Sequence, residues 1–331
     1  MFYTKQFSLE IFIKSHYLLI MTPSEIPKIF QNLDTKALYG CDSSAANIFL
    51  YQSKEQISFE YTQEVFFRFY GNSQTKKCAF PIFSKNAPQD CLYNSINYLL
   101  NAYKNIEFCL CTQEQKNQID ALFAKKFTKL KINWESDRAE SDYIYLQQNL
   151  AELYGQTYQK KKNHVLHFLK TYENQWNFVF FDKISITEKI KDDILTVEQT
   201  WFKEKNGETS KDLQEEQKII KIALENLEIL NITGGIIYIQ QKPVAMTMAS
   251  PISETVLDIH FEKSLAEPAK NGAYAAINQF FAQKCTSFKY LNREEDLGIL
   301  GLRKAKLSYK PQIILDKFSG RILPKYSIVK K

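Results

Sequence analysis

One stretch narrows the choice of fold more than any other: Gly234-Gly-Ile-Ile-Tyr-Ile-Gln-Gln-Lys-Pro-Val-Ala-Met-Thr-Met-Ala-Ser250. Apolar and β-branched residues fill both arms, and the polar Gln241-Lys-Pro break separates them, so the segment predicts a β-hairpin. A third strand is predicted over Thr255 to Phe261, a helix over Asn271 to Lys284 and a short strand over Phe288 to Leu291. Ile313 to Phe318 reads as a last strand. Upstream lie two amphipathic helices, about Thr187 to Lys205 and Lys211 to Leu230, and a strand over Trp176 to Phe181.

A chain of 331 residues exceeds what one ordinary core serves, so two domains are expected. In the first half, Ser24 reads as the cap of a short helix to Leu33. Strand-like runs follow at Ile48 to Gln52, Ile57 to Tyr61, Val65 to Tyr70 and Cys78 to Phe83. Then come an amphipathic helix over Pro88 to Leu100 and a strand over Ile106 to Cys111. Thr112, with Gln115 three residues on, predicts a capping box for a helix to about Lys125. The charged Asp137 to Asp142 segment marks the boundary. The expected division is 1–22 as an N-terminal extension that need not be the natural start, 23–142 as the first domain and 143–331 as the second. The second opens on a long helix, Asn149 to Tyr172, turned or kinked at Gly155.

Apolar residues make up 44% and charged residues 24%, which suits a globular protein. The longest clean apolar run near the N-terminus, Tyr17 to Met21, is too short to cross a bilayer, so a cytoplasmic protein is expected. Cysteines at 41, 78, 91, 109, 111 and 285 form no metal-binding spacing and read as reduced thiols, mostly core. The net charge of +6 excludes nothing by itself. Its distribution says more: Gly301 to Lys331 has a single acid, Asp316, among many lysines and arginines, and Lys160-Lys161-Lys162 forms a second basic knot. Such surface suits a phosphate-bearing ligand, although a Lys-rich solvated surface is the plainer explanation.

Three segments can carry chemistry. In Asp258-Ile-His260-Phe-Glu262, a period of two sets Asp258, His260 and Glu262 on one face of a strand. His260 then suits a general base, and Glu262 suits orienting it or binding an amine; the competing reading is an exposed face with ordinary charge pairs. Spacing along one strand fixes no metal geometry, and no metal is assigned. Second, Lys270-Asn-Gly272-Ala-Tyr274 opens a helix, where amides attract phosphate and glycine allows close approach, unless this is a plain helix start. Third, Asn292-Arg-Glu-Glu-Asp-Leu-Gly298 and Gly301-Leu-Arg-Lys-Ala-Lys306 set acids and bases around two glycines. Arg293, Arg303, Lys304 and Lys306 suit anions, and Glu294, Glu295 and Asp296 suit an ammonium or pair with those cations. Lys160 and His164 lie one helical turn apart and read as a phosphate or RNA contact, or as a basic helix surface. His16 and His167 have no polar motif around them and read as structural.

The chain resembles an uncharacterised domain family related to the C-terminal domain of phosphatidylglycerol lysyltransferase. The resemblance rests on Asp142-Tyr-Ile-Tyr145, on Leu153-Tyr-Gly155 with Tyr158-Gln-Lys-Lys-Lys-Asn-His164, and on His260-Phe-Glu-Lys263. Gly272-Ala-Tyr274 with Asn278, Asn292 to Gly298 and Gly301 to Tyr309 complete it, over about residues 24 to 320. A family arginine expected within the lysine run is Lys162 here. The element order is also that of an acyltransferase-type fold. The resemblance implies an α/β (α+β) protein of two tandem GNAT-like acyltransferase domains, with mixed, mostly antiparallel sheets flanked by helices. It implies kinship with enzymes that move an aminoacyl group from tRNA to an amine or hydroxyl. Carried onto this chain, it gives a catalytic set of His260, Glu262, Asn292, Glu294 and Asp296. Lys160, Lys161, Asn163, Lys263, Lys270, Gly272 and Tyr274 would bind substrate or phosphate, with Arg293, Arg303, Lys304, Lys306 and Tyr309.

The leading expectation is therefore an aminoacyl or acyl transferase using charged tRNA, or less favourably an acyl-CoA, in an interdomain cleft. The acceptor would be a small molecule, peptide or lipid headgroup, and no cofactor would be required. The alternative is a non-catalytic ligand-binding protein that keeps the fold. An open pocket holding His260 and Asn292 favours the enzyme, and a filled one the binding protein.

Overall fold

The protein is described by a computed structural model covering residues 16–18, 20–71 and 76–325. The chain separates into two compact units. One draws on Met1–Thr35, Tyr51–Ser141 and Leu315–Lys331, the other on Lys36–Leu50 and Asp142–Ile314. A single cut near residue 142 thus becomes several crossings, because residues 36–50 pack with the second unit and the last strand hydrogen-bonds within the first. Residues 1–15 and 19 of the expected extension lie outside the described residues, as does the side chain of His16.

The strands are β1 (His16–Leu18), β2 (Ser58–Tyr61), β3 (Val65–Tyr70), β4 (Lys76–Ala79), β5 (Ile82–Phe83), β6 (Ile106–Cys111) and β7 (Leu130–Ser136). They continue as β8 (Asp142–Leu146), β9 (Trp176–Phe181), β10 (Thr233–Ile239), β11 (Lys242–Pro251) and β12 (Val256–Ser264). The last are β13 (Tyr290–Asn292), β14 (Ile313–Leu315) and β15 (Phe318–Pro324). The first sheet runs β1-β2-β3-β4-β6-β15-β7, with β5 on β3. Only its β4–β6 pair is parallel among the pairs described. The second sheet runs β14-β8-β13-β12-β11-β10-β9, with β12 and β13 parallel. Both are mixed, mostly antiparallel sheets flanked by helices, the α/β class expected. The segment around Met21 belongs to the first unit: Met21 is buried, and Gln52 hydrogen-bonds both its amide and its carbonyl. All six cysteines are buried as free thiols, with no disulfide between them.

Four local expectations change. Most of the run Ile48 to Gln52 is helical, belonging to Ala45–Tyr51, because the Ser44 hydroxyl accepts the Asn47 amide at 3.0 Å and caps it. Ser24 makes no side-chain cap. Glu25 instead reaches back to the residues before the helix, accepting the Thr22 amide and hydroxyl at 2.7 Å. The long helix from Asn149 is two helices, Gln147–Glu152 and Gln159–Thr171. They are parted by left-handed residues, Leu153 at φ 48° and Gly155 at φ 85°. The hairpin turns at Gln240 and Gln241, both at positive φ, and Pro243 already pairs with Tyr238 in β10. Other expectations stand: the Thr112–Gln115 capping box is complete, and β3, β6 and β9 fall on the predicted residues.

Gly272 has a packing reason of its own. It lies at φ 99°, before helix Ala273–Lys284, and a Cβ there would sit 2.1 Å from the His164 carbonyl oxygen in helix Gln159–Thr171. Contact with a neighbouring helix therefore accounts for this glycine without any ligand. Gly272→Ala is expected to cost about 2 kcal/mol through backbone strain and the displaced helix. A urea midpoint equal to that of the wild type would refute the packing account.

Candidate functional site in the second unit

The site is built around a bulge in β12. Ile259 pairs with Ala249 and Phe261 with Met248, so His260 is the inserted residue. Bulges re-aim side chains. Here the bulge leaves the His260 Nδ1 3.4 Å from Asp258 Oδ2. Across the hairpin, Ser250 Oγ lies 2.7 Å from His260 Nε2. The loop after β13 adds Glu294, whose Oε1 lies 3.2 Å from Nδ1. Glu294 stands at φ 55°, and the Asn292 side chain secures that turn by accepting its amide at 2.7 Å. Asn292 in turn donates to Asp142 at 2.8 Å and to the Tyr39 carbonyl at 2.9 Å. The Cys41 amide reaches the same Asp142 oxygen at 2.8 Å.

His260 is thus enclosed. Its side chain has 0% exposure, and both ring nitrogens face partners. Asn292 is buried too. Among the described residues the pair is enclosed, and the imidazole turns no ring nitrogen to solvent.

A second cluster is more open. Arg293 Nη2 donates to Glu262 Oε1 at 2.7 Å, and Asn278 Nδ2 donates to Glu262 Oε2 at 3.0 Å. The Arg293 guanidinium stacks 4.9 Å over the Tyr309 ring, and the Lys161 amine lies 4.1 Å from the centre of that ring. Burial and then the nearby Arg293 and Lys160 charges push the Lys161 amine down to about 8. Lys160, Lys161 and Lys162 all sit in the first turn of helix Gln159–Thr171, which has no acid there and no side-chain cap. Cations crowded at the positive end of a helix are locally unfavourable, and an anion docked there relieves them.

The third cluster is internal bracing. Asp296 accepts from Arg303 Nε at 2.6 Å, from Arg303 Nη2 at 2.8 Å and from the Tyr143 hydroxyl at 2.5 Å. Arg303 so placed holds the Asp296 carboxyl well below the usual carboxylate range. Lys306 is buried, and its amine donates to the carbonyls of Arg293, Glu294 and Glu295. The Tyr145 hydroxyl reaches the Lys306 carbonyl at 2.8 Å.

Residues 34–319 match the family described as phosphatidylglycerol lysyltransferase, C-terminal. The chain belongs to that family. Among solved structures, a conserved protein of unknown function from Bacteroides thetaiotaomicron is similar at 28% identity and a TM-score of 0.79, over 92% of this chain and 98% of its own. A domain described as the C-terminal domain of a lysylphosphatidylglycerol synthetase from Agrobacterium fabrum shares the fold. Its TM-score is 0.59 at 11% identity, over 90% of this chain and 92% of its own. An uncharacterised protein of Mycoplasmoides gallisepticum is 20% identical over 226 residues, 63% of this chain and 68% of its own.

Within this lysyltransferase-type domain, the motif residues part company. Lys161, Glu262, Arg293 and Tyr309 converge, and Lys160 shares the same helix end. Asn292 and Glu294 gather instead around His260. Arg303, Asp296 and Lys306 brace the loop that carries Arg293 and Glu294. Asn163, Lys270 and Lys304 are exposed, and Asn163 accepts from Gln159 on its own helix. Lys263 leaves the site altogether. Its amine meets Glu198 at 2.9 Å, also pairs with Glu216 and lies 3.6 Å from the centre of the Trp201 ring. Trp201 in turn donates to the Tyr274 hydroxyl at 3.1 Å, so Tyr274 belongs to that internal cluster. His167 is exposed on its helix. Sequence reasoning missed Ser250 and Asn47. Ser250 was within reach, since it stands opposite Asp258 in the hairpin register. Asn47, whose amide lies 3.4 Å from Glu294 Oε1, carried no signal at 247 residues' separation.

Proposed function

We propose that this domain transfers an acyl or aminoacyl group to an amine or hydroxyl, with Lys161 as the base and Glu262 and Arg293 as the groups that hold the reactants. Membership of a lysyltransferase-type family supports the reaction class. The observation that carries the assignment is the Lys161 amine, pushed down to about 8 beside the Arg293–Glu262 pair. A neutral amine there takes the acceptor's proton as the acyl carbon is attacked and returns it to the donor's ribose oxygen or thiolate as the ester or thioester bond breaks. Arg293 offers charge to the oxyanion that forms, and Glu262 suits the ammonium of an aminoacyl group. Lys160 and Lys162, at the same helix end, favour a phosphate-bearing donor, charged tRNA ahead of an acyl-CoA. The acceptor class includes a lipid headgroup, as the family's description suggests, and no helix among the described residues is long and apolar enough to cross a membrane. The reaction requires no further cofactor. His260 becomes a positioning residue.

The test is transfer of a labelled aminoacyl group from charged tRNA to phosphatidylglycerol vesicles and to free amines, with labelled acetyl-CoA as the rival donor. Lys161→Met is expected to lower the rate by about 10²-fold, the ordinary contribution of a general base. The wild-type rate should rise with pH and level off above about 8, because Lys161 loses its proton there and only the neutral amine acts as a base. A flat profile between pH 7 and 9, or full activity in Lys161→Met, would remove Lys161 from the role. The buried His260–Asn292 pair favours the second reading, a binding protein that keeps the fold. It would be recognised by salt-sensitive tRNA binding with no transfer to any acceptor.

A further inference from the structure

We propose that Asp258, His260 and Glu294 form a binding site for a divalent transition ion of the zinc class. Spacing along β12 alone could not support a metal. The structure adds Glu294 from a different segment, and one ligand atom from each of the three residues falls within 4.8 Å of the others. The two short edges are 3.2 Å from Nδ1 to Glu294 and 3.4 Å from Nδ1 to Asp258. Zinc bonds of about 2.0–2.2 Å arranged tetrahedrally put neighbouring ligand atoms about 3.3–3.5 Å apart. One imidazole with two carboxylates suits zinc or manganese better than a soft thiolate-seeking ion.

The surroundings point the same way. Ser250 Oγ lies 2.7 Å from Nε2, on the far side of the ring from the carboxylates. When Nε2 carries the proton and donates to Ser250, the Nδ1 lone pair faces two carboxylate oxygens. That arrangement offers three converging donor atoms to a cation. A metal-bound histidine ordinarily donates its other N–H to such an outer partner, which fixes the tautomer. Asn47 Nδ2, 3.4 Å from Glu294 Oε1, gives that carboxylate a similar outer contact. Asp258 and His260 are fully enclosed side chains, whereas Glu294 keeps 18% exposure, so an ion would enter from the Glu294 side. Bound there, it would tie the loop after β13 to the bulge of β12. The neighbouring group of Cys41, Asp142 and Glu295 serves as a built-in contrast. Its Asp142 already receives the Cys41 and Asn292 N–H groups, so backbone and side-chain donors fill the role an ion would play.

The inference does not depend on the transferase reading, because its readout is metal content. The full-length protein is stripped with a chelator, reloaded with zinc chloride, desalted and analysed for metal, with titration calorimetry for affinity. We expect one zinc per chain. His260→Gln and Glu294→Gln should each weaken binding at least tenfold, and Ser250→Ala by about 10–100-fold, the usual effect of losing an outer partner. Cys41→Ser should leave binding unchanged. Manganese should bind more weakly than zinc, and magnesium more weakly still. Circular dichroism identifies any variant that fails to fold. If His260→Gln does, the loop variant Glu294→Gln and Ser250→Ala carry the comparison. A reloaded wild type without stoichiometric zinc overturns the proposal. So do zinc unaffected by Glu294→Gln and Ser250→Ala, loss of zinc only in Cys41→Ser, and tightest binding of magnesium.

Discussion

Lys306→Met is expected to destabilise the protein by about 3 kcal/mol and to lower any transfer activity with it. The Lys306 amine donates to three successive carbonyls, those of Arg293, Glu294 at 3.1 Å and Glu295 at 2.5 Å. Hydrogen bonds from a charged donor contribute about 1.5–3 kcal/mol each. Burying the amine costs several kcal/mol in return. That cost is visible in its lowered pKa, for which burial is the first cause and Arg293 the second. Methionine keeps the length and apolar body of the side chain, so the loss reports the donors rather than a cavity. The three carbonyls lie on a turn that also holds Glu294 at φ 55° and Leu297 at φ 53°. Residues at such angles persist only while their surroundings hold them. Without the amine, the turn relaxes and Arg293 and Glu294 leave their partners. Urea unfolding gives the stability change directly. A shift below about 1 kcal/mol would mean that water replaces the amine at those carbonyls, and the bracing role would fail.

The same loop marks the limit of what the sequence could reveal. Its density of charge was legible, and so were the glycines beside it, but the assignment of each charge was not. Arg303 and Lys306 look like phosphate ligands in sequence because both are basic and close to glycine. In the fold they face inward, Arg303 onto Asp296 and Lys306 onto backbone carbonyls, and only three-dimensional crowding decides that. Periodicity found β3, β6, β9 and the hairpin, where side-chain alternation or a continuous apolar run is strong. It missed β7, β8 and β15. In β7 the alternation is carried by exposed and half-buried residues with little apolar contrast. β15 is recruited to a sheet whose neighbours, β6 and β7, lie about two hundred residues earlier in the chain. The helix Ala45–Tyr51 was read as a strand because apolar Ile48 to Leu50 outweighed the Ser44 cap. Asp258 and His260 were found together by the period of two. The bulge, in which His260 is the inserted residue and turns towards Ser250, left no trace in the letters.

Lys263→Met is expected to be at least as damaging as Lys306→Met, and its cost should depend on pH. Lys263 and Glu198 are both buried, at 3% and 1% side-chain exposure, and 2.9 Å apart. Glu198 lies on helix Glu188–Glu204 and Glu216 on helix Lys211–Glu225, so the amine ties two helices to β12. Removing one partner of a buried pair costs about 3–5 kcal/mol, because the other charge is left without compensation. Burial already raises the Glu198 carboxyl above its usual 4.5 while Lys263 opposes that rise. In the variant the opposition is gone, and the folded Glu198 carboxyl rises further. A carboxyl whose folded pKa lies above its unfolded value binds more protons when folded, so stability falls as pH rises past the unfolded value. The penalty should therefore shrink as the pH is lowered from 7 to 5. Urea midpoints at those two values measure it. Adding Glu198→Leu to Lys263→Met removes the orphaned acid, and most of the stability should return and lose its pH dependence. Glu216, at 34% side-chain exposure, is compensated by solvent and needs no such rescue. A penalty that is equal at both pH values, or a double variant no more stable than the single one, would show that Lys263 acts through its packing on Trp201 and not through Glu198.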